Sequence, residues 1–93
     1  MNVLLLAYDH VAAAQNGSEP NIVALMQAQP SWARILPNLY VVTTTVDAPQ
    51  LRDQFLNTSG VRVAVFNITN SLWATNAVPL DVSQWLQTNW KQP

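Results

Sequence analysis

The chain has 93 residues, which suits one domain spanning residues 1–93 and leaves no room for a second core. Four Lys or Arg stand against five Asp or Glu, for a net charge of −1, while 49 % of the residues are apolar. That balance excludes a globally disordered chain and any strong positive field for polyanions, and the lack of cysteine excludes disulfides, thiolate catalysis and the usual structural zinc sites.

Val3 to Ala7 is apolar but far too short to span a membrane, and it has neither the basic flank nor the length of a signal peptide. The expectation is a mature cytoplasmic chain with no membrane segment. Three sequons (Asn16-Gly17-Ser18, Asn57-Thr58-Ser59 and Asn67-Ile68-Thr69) then read as coincidences of an Asn- and Thr-rich composition.

In chain order, Val3 to Tyr8 is apolar on both alternating faces, the pattern of a central strand covered on each side. From Asp9 to Ser18 the chain turns small and polar and reads as a loop broken at Asn16-Gly17. Ser18, Glu19 and Pro20 read as a helix start, Ile22, Leu25 and Met26 form its buried stripe, and Pro30 stops it. Trp32 to Leu36 and Leu39 to Thr45 read as two strands joined by a tight turn at Pro37-Asn38. Asp47 with Gln50 makes a capping box, Leu51, Phe55 and Leu56 line a second helix, and Gly60 marks its end. Val61 to Ile68 alternates apolar groups on both faces and reads as another interior strand, with Arg62 as its exception. A short extended piece is expected around Ser71 to Ala74, before a last helix that aligns Val82, Trp85, Leu86 and Trp90 on one face.

This order predicts an α+β fold, a ferredoxin-like βαββαβ sandwich with an antiparallel sheet, two helices on one face and an additional C-terminal helix. The second sheet face is apolar as well. A second copy of the chain closing it predicts a homodimer, and the C-terminal helix covering part of it within one chain is the alternative.

Tyr8-Asp9, Trp32 to Leu36, Leu39 to Thr44, Ala48 to Asp53, Val63 to Phe66 and Trp85-Leu86 together resemble the SinR-like proteins, small stand-alone relatives of the second CRISPR-associated adaptation protein. The resemblance runs nearly the whole chain and rests mostly on core positions. It implies a homodimer formed by sheet-to-sheet packing, with some members acting as magnesium-dependent nucleases and others as non-catalytic scaffolds. Asp9 matches the family acid that meets its mate across the dimer axis. Two such carboxylates could hold one Mg²⁺ and act on a phosphodiester of RNA or DNA. Asn38 stands where relatives often carry Ser.

Read on their own chemistry, the candidates are plainer. An Asp at a strand end caps a turn, and His10, the only histidine, reads as a solvent-facing loop residue before it reads as a general base. Arg62 is the better candidate for a partner or nucleic-acid contact, beside Asn38 and His10, and Arg52 is expected to pair with a neighbouring acid. The tryptophans read as packing groups, with Trp90 the one expected to be exposed or to meet a partner. With four cations per chain, nucleic-acid binding is expected to be weak or absent. The leading expectation is therefore a homodimeric binding or scaffold protein without robust catalysis. A magnesium-dependent endonuclease built on paired Asp9 is the rival, and a phage- or defence-associated interaction protein, which engages a protein partner, is the third reading.

Overall fold

The computed structural model describes residues 1–71 and 74–90. They form an α+β fold with four strands and four helices: β1 (Asn2–Tyr8), α1 (His10–Asn16), α2 (Glu19–Gln27), β2 (Ser31–Leu36), β3 (Leu39–Thr44), α3 (Ala48–Thr58), β4 (Val63–Asn67) and α4 (Leu80–Asn89). The strands make one sheet in the order β2-β3-β1-β4, with antiparallel pairing throughout. The arrangement is compatible with a ferredoxin-like sandwich.

The strand period sorts β1 between two cores. Leu4, Leu6 and Tyr8 join Tyr40 and Val42 against Ala13, Ile22, Met26, Leu51 and Phe55 of α1 to α3. Val3 turns the other way, joining Ala33 and Val41 against Val82, Leu86 and Trp90 in and just after α4. The second sheet face is thus partly covered within one chain. Trp90, expected to be exposed or to meet a partner, is 8 % exposed in this second core. One turn beyond Leu86, it stays on the docking side of the helix.

Capping chemistry sets the helix limits. Asp47 Oδ1 accepts from the Gln50 N–H at 2.9 Å and Gln50 Oε1 accepts from the Asp47 N–H at 2.9 Å, the reciprocal box that starts α3. α2 opens at Glu19 with Pro20 in its first turn, but Ser18 makes no side-chain cap and bonds Asn16 and approaches Ser59 instead. α3 ends at Thr58 with Ser59 as cap, so Gly60 lies beyond the helix and does not adopt the left-handed conformation.

Two expectations change. The stretch after Asp9 is a helix and not a loop: His10–Asn16 is rich in Ala, Asp9 caps it, and Gly17 at φ 80° lets the N–H groups of Gly17 and Ser18 close on the Ala13 carbonyl. β4 is an edge strand and not an interior one. Its two-sided apolar pattern has Val63 and Val65 half-buried against the helices and leaves Phe66 54 % exposed on the other side, where α4 packs instead against β2. The extended piece expected at 71–74 falls partly outside the described residues, as do Trp73 and Lys91.

Candidate functional site

β1 runs out at Tyr8, and three segments converge there. The Tyr8 N–H donates to the Asn38 carbonyl at 3.0 Å and the Asp9 N–H donates to the Arg62 carbonyl at 3.1 Å, so the β2–β3 turn and the chain entering β4 are pinned to the strand end. Asp9, Asn38 and Arg62 consequently line one open depression of about 460 Å³, floored by Ala7 and Ala64. Sequence reasoning selected these three residues separately, and the sheet brings them together. His10 does not line the depression. It is the half-buried first residue of α1, which replaces the expected solvent-facing loop position.

Both oxygens of Asp9 are engaged. Oδ1 accepts the Ala12 N–H at 3.0 Å, capping α1, and Oδ2 accepts from Arg62 Nη2 at 3.0 Å. The backbone hydrogen bond from Ala12 and then the Arg62 guanidinium hold the Asp9 carboxyl below its usual range, so it is ionised at neutral pH. Arg62 precedes β4 instead of lying on its face, and its side chain is 90 % exposed. The depression therefore offers one carboxylate, one guanidinium and one amide with their charges cancelled. Among the described residues no three His, Asp or Glu side chains converge as a metal site. A single chain brings one carboxylate to the depression, and that carboxylate already accepts from Ala12 and Arg62.

Behind the depression lies a cluster that sequence reasoning did not assemble. Arg34 Nη2 donates to Glu19 Oε1 at 2.6 Å, to the Pro37 carbonyl at 2.7 Å and to Tyr8 Oη at 3.2 Å. Tyr8 Oη donates to Glu19 Oε1 at 2.7 Å, and the Arg34 guanidinium carbon sits 5.2 Å from the Tyr40 ring centre. Burial, and then the Glu19 hydrogen bond, push the Tyr8 phenol above the ordinary tyrosine range. Burial alone leads the upward shift at Tyr40. At Arg34 burial is the largest effect and opposes the charge, but the hydrogen bond to Glu19 together with the charge interactions with Tyr40, Tyr8 and Glu19 outweighs it, leaving the group above its usual value. Because Arg34 grips Pro37, the cluster fixes the turn that presents Asn38. The available signal was the strand register: Arg34 and Tyr40 are opposite each other across β2 and β3 and share a face.

The remaining arginine is placed as expected, with Arg52 Nη2 3.0 Å from Asp53 Oδ1 on the surface of α3. Every arginine of the chain is thus in an ion pair. No family model matches the chain, and no curated protein matches it.

Proposed function

We propose that this chain is a ferredoxin-like binding or scaffold module of the SinR-like kind, working as a homodimer without robust catalysis. The all-antiparallel order β4-β1-β3-β2, with α2 and α3 in the crossover connections, supports the ferredoxin-like assignment, and α1 and α4 are additions to that plan. The observation that carries the non-catalytic reading is the engagement of Asp9. Its two oxygens cap α1 and pair with Arg62, so a metal would have to share oxygens the fold already uses and sit against the Arg62 guanidinium. The paired arginines point the same way, since phosphate binding draws on unpaired cationic charge on one face.

The magnesium-dependent nuclease is the reading this one competes with, because Asp9, Asn38 and Arg62 do share a depression. The test is cleavage of RNA and of DNA by purified wild type and Asp9→Asn, each with magnesium and with chelator. No magnesium-dependent cleavage above the level of the variant is expected. Robust wild-type cleavage that the variant loses while keeping its assembly state would overturn the scaffold reading.

A further inference from the structure

Among the described residues β2 forms an open edge of the sheet, at the opposite side from β4. A groove of about 500 Å³ touches three successive residues there, Trp32, Ala33 and Arg34, and also Asp81 and Trp85 of α4. Successive strand residues point to opposite faces, so a groove that meets all three and the helix beneath runs along the strand edge. Trp32 is 38 % exposed on one flank. On the other, Trp85 is fixed by its indole N–H, which donates to Ser31 Oγ at 2.6 Å. The register shift between Arg34 and Leu36 bends the strand and confines regular pairing to Ser31–Arg34.

The charges along this edge are unequal. Arg34 is neutralised by Glu19 at 2.6 Å, whereas Asp81 is exposed and its carboxylate has neither a hydrogen bond nor an ion pair among the described residues. Of the other acids, Asp9 and Asp53 are ion-paired and Asp47 caps α3, which leaves Asp81 as the unanswered charge. We propose that the β2 edge takes up a short extended peptide by strand addition, with a Lys or Arg of that peptide set against Asp81 beside the Trp85 indole. Unpaired main-chain groups of an edge strand supply the affinity in such recognition, and flanking side chains supply the choice of sequence. Aromatic faces add attraction for a cation. The proposal extends the binding-module reading to a second place, and its test is independent of the Asp9 assay.

The probe is a capped nonapeptide of alternating Thr and Val with a central Lys, and its control has Glu at the centre. Calorimetry gives affinity and amide chemical shifts give location, both on the full chain. The Lys peptide should bind about fivefold more tightly than the Glu peptide, with shifts at residues 31–34 and at the Trp85 indole. Asp81→Asn should remove that preference while leaving the spectrum of the free protein folded, and added salt should shrink it. Three results would overturn the proposal: no saturable binding at millimolar peptide, equal affinity for both peptides, or shifts centred on β4. If Asp81→Asn lowers stability and leaves the preference intact, Asp81 serves only the α4 dipole, and the proposal also fails.

Discussion

At Tyr8 the chain sets a phenol between a carboxylate and a guanidinium, and the phenol keeps its proton because the side chain is buried and its hydroxyl already donates to Glu19. Tyr8 and Tyr40 are the two tyrosines of the chain, and both are held above their ordinary range. Below pH ~10 the folded and unfolded chains both keep these protons; above it the unfolded chain loses them first, so stability must fall as pH rises through that range. Tyrosinate absorbance of the folded protein should accordingly lag behind that of the urea-unfolded chain. Ionisation near pH 10 with native circular dichroism would refute the geometry of the cluster. The sequence shows Arg34 only as one of four cations and Glu19 only as a first-turn acid. Their meeting depends on the β2–β3 register and on where α2 lies over the sheet, which no local pattern encodes. Asp9 was legible as a cap, but its capture of Arg62 joins segments that are distant in the chain.

For α4, packing decides stability, since its first turn has no side-chain cap and its apolar stripe does the anchoring. Trp85 is half-buried against the second core and bonds Ser31, so Trp85→Ala should cost about 2–3 kcal/mol, less than full removal of a core tryptophan. Urea unfolding measures it, and a loss below ~1 kcal/mol would mean that the helix does not dock through this face. The stripe itself was readable from Val82, Trp85 and Leu86, as were the start of α2 at Glu19-Pro20 and the box at Asp47 and Gln50, because apolar period, proline placement and capping boxes are local. α1 was hidden by its composition: small, weakly apolar residues carry no stripe, and only its Ala content and the Asp9 and Gly17 ends announce it. β4 was misplaced for a different reason. Alternation reports which residues are apolar, but it does not report whether a neighbour exists to cover Phe66.

The whole molecule leaves Phe66 and Leu36 about half exposed at the two edges of the sheet, with Val11 and Leu80 exposed elsewhere. Because the chain has few charges to keep copies apart, sedimentation at micromolar concentration is expected to give twice the chain mass. A monomer across that range would mean that α4 suffices to close the second face. The central place of β1 also has a consequence for how the protein is made. This most apolar strand leaves the ribosome before its partners β3 and β4 and before the helix α4 that covers its second face. Synthesis proceeds at about 5–20 residues per second, and pairing of distant segments is slow, so the β1 face that carries Val3 stays uncovered until α4 has emerged. The nascent protein is therefore most vulnerable to aggregation at β1, and that strand is where a chaperone would have to hold it.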